Sequence, residues 1–237
     1  MDIQAISEAA QHLMQLRKSH RKAELGHIYY HGQRVGNLAV RLHRELLRQE
    51  RGCQAGGIDI PQEDTTQEDI LRVAGWFHDV GKGIEPHPVY GAVLAREALA
   101  GYAAPEELDA ICELIHFHAA RRRPEEENAA NAAADNAWPR WREDFSDGIQ
   151  ILQDADLLDH FGTAGIAHSF FSASFSERRP AEQIAHFFET AVPLHEKSME
   201  RLNYSVSKAI MQERVAFEEN FFRRFRTEAQ GEVWTAP

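Results

Sequence analysis

Apolar side chains recur at helical intervals along nearly the whole chain. Residues 3–18 carry one such stripe, and residues 27–50 carry a longer one that includes Val35, Leu38 and Leu42. No segment shows the convincing alternation of apolar and polar residues that is typical of a strand. The pattern therefore predicts an all-α fold.

Further helices are predicted between segments rich in turn-forming residues. A polar, glycine-containing loop follows residue 50, and Asp64 or Thr66 is expected to cap a helix that runs to Gly81. Helices are then expected over 88–100, 105–119, 147–160 and 163–175. A long helical pattern over about 181–226 is expected to break near Pro193. The C-terminal helix is expected to pack within the chain, with a homodimer contact as the alternative.

The size of the chain suits one domain. Its 237 residues are 43% hydrophobic and 27% charged, which is ordinary for a globular protein with a sizeable core. We expect a single domain over residues 1–237. Its core would cover about 20–175, and a C-terminal helical extension would cover about 181–226.

Charge and cysteine content exclude several classes of protein. The 26 basic and 37 acidic residues give a net charge of −11, which argues against a broad nucleic-acid-binding surface. Cys53 and Cys112 form neither a disulfide framework nor a zinc–thiolate site. The sequence shows no signal peptide and no apolar run of about 18 residues, so no contact with a membrane is expected. A cytoplasmic enzyme is the resulting expectation.

The segment from Trp76 to Gly83, WFHDVGKG, holds the most informative residues. His78 and Asp79 close an apolar segment and can offer an imidazole and a carboxylate to one divalent ion. A buried Asp79 would be costly without a metal or another cation beside it. Lys82 lies three residues after Asp79. Its positive charge can offset the charge of a phosphate oxygen, or it can interact favourably with the negative C-terminal end of the helix dipole.

Other histidines and aspartates at long range complete a candidate metal site. His31 lies upstream, and His87, His118 and Asp156 lie downstream, each in a helical segment. Nitrogen and oxygen ligands without thiolate suit Mn, Fe, Co, Ni, Zn or Mg. Because these donors exceed what one tetrahedral ion needs, two ions bridged by Asp79 are favoured over a single ion, although both remain open.

Several nearby residues have alternative interpretations. His27 shares a helix face with His31 and can serve a metal or simply form part of a polar face, whereas His116 is expected to point away from His118. Arg34 is a candidate for binding a substrate phosphate, with a surface salt bridge as the alternative. Two acidic residues, Asp154 and Asp159, are expected to be solvated or capping. The basic run Arg121, Arg122 and Arg123 would either guide an anion or remain solvated.

The phrases HGQRV, GWFHDVGK and ILQDADLLDHFGTAGIAHSF resemble, in order and spacing, the HD-domain superfamily of metal-dependent phosphohydrolases. The last phrase is similar to a small bacterial subfamily, and the resemblance covers about residues 20–225. It implies an all-α fold, a divalent metal centre and hydrolysis of a phosphomonoester or phosphodiester, often of a nucleotide. Leu157 stands where the subfamily usually has arginine, and Ile28 stands where an aspartate often follows the first histidine.

The resemblance also implies roles for individual residues. His31, His78, Asp79 and Asp156 would hold the first ion, and His87 and His118 would complete a second site bridged by Asp79. His78 and Asp79 would act in catalysis with Lys82, and Lys82 and Arg34 would bind the phosphorylated substrate, for which a nucleotide is favoured. A di-iron oxygenase and a non-catalytic metal- or nucleotide-binding sensor are the alternatives.

Overall fold

The computed structural model describes residues 1–16, 27–52, 62–120, 145–175 and 177–233, with side chains described for all of these except 62–64 and 172–175. These ranges form α1 Ile3–Met14, α2 His27–Glu50, α3 Gln62–Phe77, α4 His87–Leu99, α5 Pro105–Phe117, α6 Asp147–Asp159, α7 Thr163–Phe175, α8 Pro180–His186, a π-helical turn Phe187–Ala191, α9 Val192–Glu200 and α10 Ser205–Ala229. Within the described ranges there is no β-strand, so the all-α prediction is confirmed.

The main hydrophobic core lies among α2, α3, α5 and α6. Helix α2 packs against both α3 and α6, and α5 also packs against both. Phe77, Leu71, Ile115 and Leu152 are among the core side chains that are fully buried. Each such side chain stabilises the fold by about 1.5–3 kcal/mol relative to an exposed one, so these four helices form a firm frame.

Glycines allow α2 and α3 to touch backbone to backbone. A Cβ atom on Gly75 would lie 2.4 Å from the Cα atom of Gly36, and one on Gly32 would lie 2.6 Å from the carbonyl oxygen of Trp76. Side chains at these positions would force the helices apart. The close contact brings His31 on α2 near His78, which directly follows α3.

Two predicted helix boundaries are wrong. Helix α3 begins at Gln62, so Asp64 and Thr66 lie inside it and neither is its N-cap. Acidic residues suit the positive end of the helix dipole, which allows the helix to begin before them. Helix α3 also ends at Phe77 and does not run to Gly81. Near Pro193 the α-helical run is interrupted as expected, because the π-helical turn Phe187–Ala191 precedes α9 and Pro193 lies in the first turn of α9, where a missing N–H group is tolerated. A second interruption, at 202–204, was not predicted.

A second, smaller apolar cluster joins the C-terminal helices. Ile166, Ile184, Phe187 and Phe222 form its buried centre, and the rings of Phe187 and Phe222 stack with centroids 3.9 Å apart. Helix α10 also contributes Met211 to the main core, so it packs within the chain as expected. None of the helices described is long and apolar enough to cross a membrane.

Candidate metal centre

The fold brings the six predicted metal ligands together from different elements. His31 lies on α2, His87 begins α4, His118 follows α5 and Asp156 lies on α6. His78 and Asp79 occupy a turn after α3. Two backbone hydrogen bonds hold this turn, from the N–H of Val80 to the carbonyl of Phe77 and from the N–H of Lys82 to the carbonyl of Asp79. Because the helix ends at Phe77, these adjacent side chains can both face inward.

The two carboxylate oxygens of Asp79 face two separate pairs of histidines. Its Oδ2 lies 4.0 Å from Nε2 of His31 and 3.8 Å from Nε2 of His78. Its Oδ1 lies 3.6 Å from Nε2 of His87 and 3.9 Å from Nε2 of His118. Ligands that bind one ion at about 2.0–2.2 Å lie roughly 3–4 Å from one another. Asp79 therefore belongs to two groups of possible metal ligands, one with His31 and His78 and the other with His87 and His118.

Asp156 completes the first of these ligand sets. Its Oδ1 lies 3.1 Å from Nε2 of His31 and 3.5 Å from Nε2 of His78. His160, which the sequence analysis missed, brings its Nε2 to 3.7 Å from the same oxygen and forms a further possible ligand group with His31 and Asp156. The signal was available, because His160 follows Asp156 by four residues on the same helix face.

Hydrogen bonds orient the ring nitrogens of three histidines in the same way. In each ring Nδ1 contacts an oxygen: His31 to Asp159 at 2.7 Å, His78 to the carbonyl of Gly75 at 2.8 Å, and His118 to the carbonyl of Ile115 at 2.6 Å. This leaves Nε2 of each ring directed towards the centre. Nε2 of His78 is buried and has no hydrogen-bond partner among the residues that the structure describes. A divalent cation would satisfy it, so this donor set fits a metal ion.

The expectation that Asp159 is solvated or capping is wrong. Its carboxylate is buried, contacts His31, and accepts hydrogen bonds from Nε and Nη2 of Arg34 at 2.8 and 2.9 Å. Asp159 follows Asp156 by three residues, so both lie on one face of α6. Asp154 is also buried and therefore not solvated, and it accepts hydrogen bonds from the N–H groups of Asn203 and Tyr204, which directly precede α10.

Burial and neighbouring charges set the protonation of the centre. Burial alone would lower the pKa of His31, but hydrogen bonds to Asp156 and Asp159 raise it to about 9. Burial opposes ionisation of Asp79, yet the charges of His78 and Lys82 hold the pKa of that carboxyl well below its ordinary value. Burial, together with the charge of His78, lowers the pKa of His118 to about 3. Asp79 is thus anionic and His118 neutral at physiological pH.

The remaining candidates surround these ligands. Lys82 donates from Nζ to Oδ2 of Asp79 at 2.7 Å, and its side chain is 39% exposed. The His27 ring stacks on the His31 ring at 5.5 Å, but His27 belongs to no ligand group within the described part of the chain. His116 likewise lies outside these groups. The basic run at 121–123 falls outside the described residues.

Comparisons with known proteins identify the family and the fold. The sequence profile of the HD domain matches residues 28–160, a span that contains all six ligands. No curated protein matches the chain by sequence.

Solved structures of similar fold cover almost the whole chain. An HD-superfamily hydrolase from Bacillus thuringiensis is 20% identical with a TM-score of 0.59, and the alignment covers 97% of each chain. YpgQ from Bacillus subtilis is 18% identical with a TM-score of 0.58 over 98% of this chain and 100% of that one. A structure of YpgQ in complex with ADP is 16% identical with a TM-score of 0.54 over 94% and 97%. At these identities the likeness shows a shared fold.

Proposed function

This chain belongs to the HD-domain family, and we propose that it is a metal-dependent phosphohydrolase acting on a small phosphorylated molecule, with a nucleotide as the favoured substrate. The family match and the HD-superfamily hydrolase of similar fold support the general class. The observation that carries the proposal is Asp79, whose two oxygens each face a pair of histidine Nε2 atoms.

Two ions are favoured over one because the ligands fall into two sets. The first set contains His31, His78, Asp79 and Asp156, and the second contains Asp79, His87 and His118. Mn, Fe, Co, Ni, Zn or Mg would suit these donors. Divalent ions bound there would lower the pKa of a coordinated water and offset charge on a phosphoryl group. The protein supplies fixed ligand orientations, which Asp159 and the carbonyls of Gly75 and Ile115 maintain.

Two cations are proposed to bind the phosphoryl group of the substrate. The half-exposed ammonium of Lys82 lies beside Asp79, at the edge of the ligand sets. The guanidinium of Arg34 uses Nε and Nη2 to bind Asp159, while 43% of its side chain remains exposed. In this proposal both groups hold phosphate oxygens and stabilise charge that develops on them.

The nucleotide preference and the cellular location belong to the proposal. YpgQ, which shares this fold, is described in complex with ADP, and this favours a nucleotide for the present chain. We expect the enzyme to act in the cytoplasm, because its two cysteines make no disulfide framework and suit a reducing compartment.

Phosphate release from a panel of nucleotides and simple phosphate esters tests the proposal. We expect Mn²⁺-dependent release from one class of compound, and a chelator should abolish it. If metal binds but no compound in the panel is hydrolysed, the proposal is wrong. Oxygen consumption with iron, or nucleotide binding without turnover, would then support the oxygenase or the sensor.

A further inference from the structure

A cavity of about 230 Å³ lies between the C-terminal end of α6 and the helices that follow it. His160 lines this cavity and also brings its Nε2 to 3.7 Å from Asp156 in the metal centre. The cavity therefore adjoins the place where the proposed function puts the phosphoryl group. We name it the aromatic cavity, because its wall includes Phe161, Phe187 and Phe222.

Two polar side chains in the wall of the aromatic cavity are buried, and three others, His160, Ser169 and Ser198, are half-buried. His195 is 6% exposed and Glu218 is 4% exposed, and both line the wall. A mostly apolar pocket with a small number of fixed polar groups is the usual form of a site for a small organic ligand. By volume the cavity would hold on the order of seven water molecules, which is also room for one planar ring system.

His195 supplies the independent sign of a ligand. Neither of its ring nitrogens has a hydrogen-bond partner within the described part of the chain. Its Nε2 lies 3.6 Å from Glu218, which lines the aromatic cavity, and its Nδ1 lies 3.8 Å from Glu219, which lines a separate groove between α9 and α10. Buried nitrogens are nearly always satisfied, and a polar ligand group bound in the cavity beside Glu218 would satisfy Nε2.

Two features of the backbone, a glycine and a π-helical turn, form part of the cavity wall. Glu218 approaches Gly165 so closely that any Cβ atom there would collide with its carboxylate. The π-helical turn contributes Phe187 and Ala191 to the wall, and such turns occur frequently at functional sites. Burial raises the pKa of Glu218 to about 7, so its carboxyl group can both donate and accept hydrogen bonds near neutral pH.

We propose that the aromatic cavity binds the nucleobase of a nucleotide substrate, with His195 and Glu218 contacting the polar edge of the base. This inference rests on the proposed function, because His160 connects the cavity to the metal centre. The apolar wall would bury the faces of the ring, and the two polar groups would read its edge. The substrate class is then a nucleotide rather than a sugar phosphate.

Kinetics with and without a base test this inference on the full-length, Mn²⁺-loaded protein. The probes are nucleoside monophosphates of the four bases, and ribose 5-phosphate as the base-free compound. We expect kcat/KM for at least one nucleotide to exceed that for ribose 5-phosphate by about tenfold or more. His195→Leu and Glu218→Leu should reduce this ratio towards one, and Ala191→Leu, which fills the cavity without removing a polar group, should do the same.

Binding of free nucleosides separates this inference from the proposed function. Equilibrium dialysis should show one nucleoside bound by the wild type and by the matched control His116→Leu, with about tenfold weaker binding by His195→Leu. Base-dependent binding without any hydrolysis would contradict the proposed function and support the cavity. Equal kcat/KM values for ribose 5-phosphate and the nucleotides, or nucleoside binding that none of the three cavity variants weakens, would overturn the inference. Circular dichroism verifies that each variant is folded.

Discussion

At the scale of single residues, Asp159 shows how a side chain outside the ligand sets can support them. It contacts Nδ1 of His31 at 2.7 Å and also binds Arg34, so one carboxylate orients a metal ligand and a proposed phosphate-binding cation. A carboxylate that is hydrogen-bonded to one nitrogen of a ligating histidine determines which of the two imidazole nitrogens faces the metal.

Asp159→Ala should weaken metal binding by about 10- to 100-fold, because His31 would lose the group that orients it. Isothermal titration with Mn²⁺ measures the change. The control is Asp147→Ala, which removes an exposed carboxylate from the same helix. If both variants bind Mn²⁺ like the wild type, Asp159 has no role in orienting His31.

Glu218 should make stability depend on pH. Burial raises its folded-state pKa to about 7 from an ordinary value of 4.5. Between these values the unfolded chain releases the proton while the folded chain keeps it, so stability is lost as pH rises through this window. Glu218→Gln removes the cost of ionising a buried carboxyl. It should therefore stabilise the protein at pH 8 by roughly 1–3 kcal/mol, with no such gain at pH 4.

Urea unfolding at the two pH values tests this prediction. The control is Glu228→Gln on the same helix, where the carboxylate is exposed and pairs with Arg224. If the unfolding free energies of wild type and Glu218→Gln differ by the same amount at pH 4 and pH 8, the prediction is wrong.

The sequence indicated the ligands better than the residues that support them. Histidine and aspartate in helical segments pointed to six of the seven residues that form possible ligand groups in the described part of the structure. Asp159 and His160 were missed although both share a face of α6 with Asp156. Their spacing was visible, but their contacts depend on how α2 and α6 pack, and no periodic pattern shows that.

At the scale of elements, the contact between α2 and α3 determines how closely His31 and His78 approach. Gly75→Ala should push these helices apart, because its new Cβ would lie 2.4 Å from the Cα atom of Gly36. We expect a loss of at least about 2 kcal/mol in unfolding free energy, together with weaker metal binding.

Denaturant unfolding and Mn²⁺ titration measure both effects of Gly75→Ala. Gly91→Ala on α4 is the matched control, since its Cβ would meet its nearest neighbours at 3.4 Å, an ordinary contact distance. If Gly75→Ala is no less stable than this control, the close contact of the two helices does not constrain the centre.

Helix positions were predicted well and helix ends less well. The apolar stripe over 27–50 matches α2, whose bounds are His27–Glu50. Both ends of α3 were misplaced and the interruption at 202–204 was not predicted, because caps and turn residues permit several boundaries that tertiary packing then decides. The division of the chain into a core and an extension stays a prediction.

At the scale of the whole molecule, the metal centre joins elements that are distant in sequence. Its proposed ligands come from α2, the turn after α3, α4, the end of α5 and α6. Ions that bind only the folded chain stabilise it, by about 2.7 kcal/mol at a free concentration of 100 times Kd.

Thermal denaturation should therefore show a higher Tm with Mn²⁺ than with a chelator. The same comparison on Asp79→Ala should show little or no shift, because both ligand sets share Asp79. A Tm that is equal with and without Mn²⁺ in the wild type would mean that the folded chain does not bind this ion strongly.

Phosphate release during a Mn²⁺ titration of wild type and Asp79→Ala, with the best nucleotide of the panel, tests the central claim most directly. We predict that release by the wild type rises with Mn²⁺ and stops with a chelator. Release by Asp79→Ala should stay at the level without enzyme, while its circular dichroism spectrum remains helical. Metal-dependent release by Asp79→Ala at the wild-type rate would contradict the account.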